Sequence, residues 1–288
     1  DMAVILRMNI VTERQMRRWM QIFLSLIFFL QSGFVFANCE FKNDVKKIIS
    51  LSGPATVVLK ELNLLKNPKV KGVSIFHPVD ESDFKGKFYP GGIFISHSIL
   101  SEFSGSVVFY DGSRDLERLL KSDGQIQSRE IVTRNLLPLE ALAATIKSLK
   151  EVLTGCDENL KNIQKKGEKI QKNLLSKLPD NSKIVFYLGE IRNDKKPELV
   201  MVNDGVVKLL IQKSKIKTYP SELAYVNWAS KIMNNLPTQT LHVGIKDTGK
   251  EKTIQIKRSS LQMTLFYPGV LVPGLSQLEA FLYLAERI

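Results

Sequence analysis

The chain has 288 residues, of which 44% are hydrophobic and 24% charged. This length fits two domains of ordinary size, and the composition excludes a disordered chain. The formal net charge of +12 favours anionic ligands, membrane surfaces or nucleic acid. Many of the lysines lie between Lys161 and Lys177, where they fit the solvated face of a helix, and no nucleic-acid-binding motif accompanies them. We therefore expect no nucleic-acid partner.

Residues 1–37 have the pattern of an export signal. Arg14, Arg17 and Arg18 precede an apolar run from Trp19 to Leu30, and a small residue follows at Ala37. We predict cleavage after Ala37, which for a bacterial source places the mature chain in the periplasm. The alternative is an uncleaved membrane anchor, because the apolar stretch is just long enough to span a bilayer.

Two cysteines, Cys39 and Cys156, remain in the mature chain. An oxidising compartment would preserve a disulfide between them. Whether the bond forms depends on a distance that the sequence does not give, so a disulfide and two separate thiols both stay open.

Strand and helix patterns alternate in the first half of the chain. They predict strands at residues 47–52, 70–76, 106–112 and 129–135, and helices at residues 54–65, 93–103 and 113–124. Residues 77–92 are rich in turn formers and predict a loop. Such alternation is typical of a mostly parallel sheet with helices on both faces.

The segment 138–178 has no strand pattern and predicts a helical connector. Two helical patterns meet at Gly155, and the second has a narrow apolar stripe on an otherwise polar helix. The stripe consists of Leu160, Ile163, Ile170, Leu174 and Leu178. We interpret this helix as a strut between two lobes.

The alternation resumes after the connector. It predicts strands at residues 183–191, 240–246 and 253–257, an apolar run at 197–205, and helices at 206–214, Ser221–Leu236 and 275–288. The expected fold class is α/β, with two Rossmann-like lobes of mostly parallel sheets joined by a long connecting helix. The predicted boundaries are 38–137 for the first lobe, 138–178 for the connector and 179–288 for the second lobe.

Several short motifs together resemble a known family. They are, in chain order, Ile49, Ser50, Leu51, Ser52, Pro54, Thr56, Leu59, Leu62 and Leu64; then Val70, Gly72, Val73 and Ser74; Gly91 and Gly92; and Pro273, Gly274, Leu278, Glu279, Ala280 and Leu284. Their order resembles the substrate-binding proteins of ABC importers for metal chelates (cobalamin, haem and ferric siderophores), the helical-backbone metal receptor superfamily. The resemblance implies a ligand cleft between two lobes, an ABC permease as partner, a monomer, no cofactor and no enzymatic activity.

The chain departs from this family at the surface that docks on the permease. Members often have a rim glutamate shortly after the double glycine, whereas here no acid follows until Glu102. Glu222 stands close to the second docking position and is our candidate for permease docking. The departure keeps open a stand-alone periplasmic accessory protein with the same fold and no transport role.

The turn of Ser52, Gly53 and Pro54 joins a predicted strand to a predicted helix. Its backbone N–H groups lie at a helix start, where they can hold an anionic group of a ligand. The other interpretation is a tight corner in which Pro54 is pre-set for the helix. The sequence supports both equally.

Histidines offer a second class of site. His77 and His97 are candidate ligands of a metal, either the metal of a bound chelate or a directly bound zinc or manganese ion. His242 lies in an apolar strand and is expected to be structural. The spacing contains no local histidine pair, and a metal site needs three or four converging ligands, so direct metal binding is an alternative.

Aromatic and basic side chains near strand ends complete the predicted ligand site. The further ligand-binding candidates are Pro78, Tyr89, Tyr110, Arg114, Tyr187, Arg192 and Tyr219. Flat macrocycles bind to aromatic surfaces, and arginines pair with ligand carboxylates. Core packing and solvated loops are the competing interpretations. The sequence contains no catalytic or phosphate-binding motif, so we predict a binding protein.

Overall fold

The computed structural model describes residues 39–73, 83, 85, 87, 101–112, 114–133, 135–177, 184–188, 199–201, 205–213, 225–227, 241–247, 252–258, 261–266 and 272–287. Residues Glu40–Ile288 form one compact unit. The predicted export signal lies outside the described residues. Among the helices within these ranges, none is long and apolar enough to cross a membrane.

The first half of the chain folds around a parallel sheet, as predicted. Its elements are β1 (Glu40–Phe41), β2 (Ile48–Ser50), α1 (Gly53–Glu61), β3 (Val70–Val73), β4 (Val107–Asp111), α2 (Arg114–Lys121) and β5 (Gln127–Ile131). The four-stranded sheet has the order β3-β2-β4-β5, and every pairing in it is parallel. Both β2 and the first four residues of β4 are buried, as expected for a parallel sheet whose faces are covered.

The connector is more interrupted than the sequence predicts. It consists of α3 (Pro138–Lys150), the two-residue strand β6 (Leu153–Thr154) and α4 (Asp157–Lys177). β6 pairs antiparallel with β1, so the prediction of no strand between residues 138 and 178 is wrong here. A strand this short depends on a partner more than a hundred residues away, which no local pattern reveals. Both cysteines are disulfide-bonded, which answers the question that the sequence left open.

The second half forms a six-stranded sheet. Its elements are β7 (Ile184–Leu188), β8 (Leu199–Met201), α5 (Gly205–Lys213), β9 (Tyr225–Asn227), β10 (Leu241–Asp247), β11 (Lys252–Arg258), β12 (Leu261–Phe266) and α6 (Leu275–Ala285). The strand order is β12-β11-β10-β7-β8-β9. Within the described part of this sheet, β7 and β10 pair in parallel and the other four pairings are antiparallel. The prediction of mostly parallel sheets therefore holds for the first sheet and fails for the second.

One predicted helix contains a strand instead. The sequence predicts a helix over Ser221–Leu236, but Tyr225–Asn227 form β9 and pair with β8. Val226 lies opposite Val200 in this pairing. Aromatic and β-branched residues favour strands, and a tertiary partner overrides an amphipathic helical pattern. The strand β12 is a further element that the sequence patterns did not reveal.

Helix α4 buries the narrow apolar stripe that the sequence predicts. Its buried residues include four of the five predicted stripe positions and also Gly167. A Cβ atom at Gly167 would lie 2.8 Å from Cδ2 of Leu142 in α3 and 3.9 Å from Cδ1 of Leu275 in α6. The missing side chain therefore lets α3, α4 and α6 approach closely.

An ion cluster ties helices from distant parts of the chain. Nζ of Lys166 in α4 lies 2.8 Å from Oε2 of Glu61 in α1 and 2.8 Å from Oε1 of Glu279 in α6. The hydrogen bonds and charges of the two glutamates outweigh partial desolvation and raise the pKa of Lys166. The final helix of the chain thus contacts helices of the first half.

Candidate functional site

A topological switch point lies at the carboxyl edge of the parallel sheet. β3 pairs with one side of β2 and β4 with the other, so the strand order reverses between β2 and β4. Ligands of open α/β sheets bind outside the carboxyl ends of the strands at such a point. The residues that leave β2 and β4 here are the turn Ser52–Pro54 and Asp111.

Hydroxyl groups fix the turn that leaves β2. Oγ of Ser50 lies 2.7 Å from Oγ1 of Thr56, and Oγ1 of Thr56 donates to the carbonyl oxygen of Ser52 at 2.8 Å. All three side chains are buried. Because each hydroxyl is hydrogen-bonded, the network holds the strand-to-helix corner at little desolvation cost.

The start of α1 has its N–H groups occupied by the chain itself. Ala55 donates to Oγ of Ser52 at 3.3 Å, and Thr56 donates to the carbonyl oxygen of Ser52 at 3.0 Å. Gly53 donates to Oδ2 of Asp111 at 3.2 Å, and Pro54 has no N–H group. Of the two interpretations of this turn, the contacts support the corner and not an anion site.

Asp111 is the polar group that sequence reasoning missed. Its Oδ2 accepts from Gly53, whereas Oδ1 is buried and has no hydrogen-bond partner in the part of the chain that the structure describes. Burial raises the pKa of the Asp111 carboxyl to about 6, although hydrogen bonds from the Ser52 side chain and the Gly53 backbone act in the opposite direction. The available signal was an acid that directly follows the apolar run Val107–Tyr110 and precedes a glycine.

Tyr110 lies in the core rather than on a ligand surface. Only 3% of it is exposed, and it belongs to a cluster of buried residues that includes Leu116 and Leu120 of α2. Burial, with Glu117 and Glu130 nearby, raises the pKa of its hydroxyl to about 12. Both faces of β4 are covered, so the side chain of Tyr110, the residue before the last of the strand, packs in the core.

The remaining predicted residues are placed in part. Arg114 begins α2, and Tyr187 lies within β7 rather than in the turn after it. His242 lies in β10, the strand in which the sequence places it. Outside the described residues are His77, Pro78, Tyr89, His97, Arg192, Tyr219 and Glu222. Across the described ranges, no group of three or more His, Cys, Asp or Glu side chains could hold a metal ion.

Comparison with solved structures identifies similar folds. The haem-binding periplasmic protein HutB of Vibrio cholerae matches with a TM-score of 0.61 at 14% identity, over 85% of this chain and 99% of that chain. A periplasmic binding protein of Veillonella parvula matches with a TM-score of 0.57 at 11% identity, over 85% and 91% of the two chains. The vitamin B12-binding protein BtuF of Vibrio cholerae gives 0.51 at 14% identity, over 70% and 76%.

No protein-family model and no curated protein matches the chain. At these identities the structural likeness shows the fold alone. The fold is mixed α/β with a parallel first sheet, and the similar structures are binding proteins, not enzymes. The chain therefore has the fold of the periplasmic solute-binding proteins, as its motifs predict.

Proposed function

We propose that the protein is an exported solute-binding protein that captures a metal chelate, such as a corrinoid, haem or ferric siderophore, for an ABC importer. The observation that carries the proposal is the match to HutB over 99% of that chain, because a domain inserted into an unrelated fold would not extend so far. The polar corner at the switch point supports it, since this is where such sheets bind ligands.

The ligand is proposed to lie between the two lobes, where the carboxyl ends of the strands meet. It would contact the turns at Ser52–Pro54 and His77–Pro78 and the segment Tyr187–Arg192, which begins in β7. His77 or His97 is the proposed imidazole ligand of the chelated metal, and Glu222 is the proposed contact with the permease. The protein would act in the periplasm after cleavage at Ala37, as a monomer without a cofactor of its own.

Binding of defined chelates tests the proposal. The chain without residues 1–37 is titrated with haemin, cyanocobalamin and ferrioxamine B, and absorbance and tryptophan fluorescence are recorded. We expect saturable binding of at least one probe with a Kd of about 1 μM or below, equivalent to about −8 kcal/mol. Absence of saturation by all three probes at 100-fold higher concentration, about 100 μM, would refute the proposal.

A stand-alone accessory protein of the same fold is the second candidate. The observation that favours it is that no acidic residue lies between Gly92 and Glu102. Importer-linked members of the family often have a glutamate in this segment that docks on the permease. Uptake of the bound probe by cells with and without the gene separates the two. If the protein is an importer component, cells without the gene should lose uptake of the probe. If it is an accessory protein, it should bind the probe, and uptake should be the same in both kinds of cell.

A further inference from the structure

Asp111 leaves one carboxyl oxygen unused at the switch point. Oδ2 accepts from the N–H group of Gly53, and the Ser52 side chain also hydrogen-bonds this carboxyl group, whereas Oδ1 is buried without a hydrogen-bond partner among the described residues. A buried acceptor without a donor costs free energy, and native structures keep few of them. Its position, at the end of β4 and beside the start of α1, is the edge of the sheet where a ligand is expected.

The N–H groups at the start of α1 are not free to bind an anion. The N–H groups of Gly53, Ala55 and Thr56 donate to acceptors within the chain, and Pro54 has none. A ligand carboxylate placed here would meet the charge of Asp111 without a compensating hydrogen bond from these residues. An unpaired like charge is a means by which a site rejects one ligand in favour of another.

We propose that Asp111 recognises the periphery of the ligand, its Oδ1 accepting a hydrogen bond from an amide, hydroxyl or ammonium group. Ligands that present carboxylates at this corner are disfavoured. This inference rests on the proposed function and adds a preference within the class of metal chelates. Cyanocobalamin carries primary amides and ferrioxamine B an ammonium group, whereas haemin presents two propionate carboxylates.

Asp111→Asn separates recognition from support of the fold. The asparagine keeps one oxygen for the N–H group of Gly53 and replaces the other oxygen with an NH₂ donor. Hydrogen bonds to charged groups are worth about 1.5–3 kcal/mol, so the variant should bind the preferred amide or ammonium probe about 10- to 100-fold more weakly. Its affinity for haemin should stay the same or increase, because the NH₂ group can donate to a propionate.

Asp44→Asn is the matched control. Asp44 is exposed and precedes β2, at the opposite edge of the same sheet, and the substitution removes the same charge. It should leave all three affinities unchanged. Titrations are run at pH 8 with the wild type and both variants, and the melting temperature of each protein is measured in parallel.

The outcomes separate this inference from the proposed function. Weaker binding of the amide or ammonium probe by Asp111→Asn, with haemin binding retained, supports the inference. Haemin as the tightest probe, with affinities unchanged in the variant, overturns the inference and leaves the proposed function standing. Equal loss of all probes together with a lower melting temperature assigns Asp111 a structural role and overturns it as well. Failure of every probe to bind the wild type overturns the proposed function and the inference together.

Discussion

Substitution of Gly167 by alanine tests the close approach of three helices. The new Cβ would lie 2.8 Å from Cδ2 of Leu142 and 3.1 Å from Cδ2 of Leu139. Carbon atoms pack at about 3.5–4.0 Å, so both leucines must move. Overpacking of a core costs about 1–3 kcal/mol, whereas alanine gains about 1 kcal/mol over glycine in a helix. We expect a net loss of about 1 kcal/mol in the free energy of unfolding.

A double-mutant cycle isolates the steric part of this effect. Leu142→Val removes both Cδ atoms at a cost of about 1 kcal/mol, comparable to Ile→Val. In that background the milder contact with Leu139 remains, so Gly167→Ala should be about neutral, giving a coupling energy of about 1 kcal/mol. Urea unfolding followed by circular dichroism measures all four proteins. If Gly167→Ala stabilises the wild type and the Leu142→Val variant equally, the three helices do not approach as described.

Three further predictions concern buried or paired polar groups. Burial raises the pKa of Asp111 from its ordinary value of 3.8 to about 6 in the fold, so its contribution to stability is present below about pH 4 and is lost as the pH rises through 6. Asp111→Asn should therefore be up to about 3 kcal/mol more stable than the wild type at pH 8. Urea titrations in which this difference does not grow between pH 4 and pH 8 would contradict the pKa shift. Gly205 has a φ of 46°, and a Cβ added there would lie 2.5 Å from Oε1 of Gln277, which accepts a hydrogen bond from the N–H group of Val206 in the first turn of α5. Gly205→Ala should therefore cost about 2 kcal/mol of stability, whereas Gly124→Ala should not, because a Cβ at Gly124 meets open space. Equal unfolding midpoints for the two variants would refute the role of Gln277 at the start of α5. Lys166→Met should cost about 1 kcal/mol in 50 mM salt and less in 1 M salt, since the two ion pairs are partly exposed; a cost that does not depend on salt would argue against an electrostatic tie.

The sequence by itself determined the elements whose ends and buried faces are marked by neighbouring residues. The corner from β2 to α1 follows from Ser52, whose side chain caps the helix, and from Pro54 in its first turn. The buried face of α4 follows from apolar residues at helical spacing. The motifs in these elements were enough to predict the fold of the periplasmic binding proteins. Helix capping and periodic burial depend on residues that are close in sequence, so a local pattern reveals them.

Long-range pairing decided what the sequence did not. Tyr225–Asn227 form a strand because β8 is beside them, and Leu153–Thr154 form one because β1 is. The turn at Ser52–Pro54, which the sequence left open between an anion site and a tight corner, and the burial of Tyr110 were decided in the same way. Asp111 accepts a hydrogen bond from the N–H group of Gly53, which lies 58 positions earlier in the sequence. Residues of α2 pack against Tyr110. Which donors are occupied and which side chains are buried depends on neighbours that only the folded chain brings together.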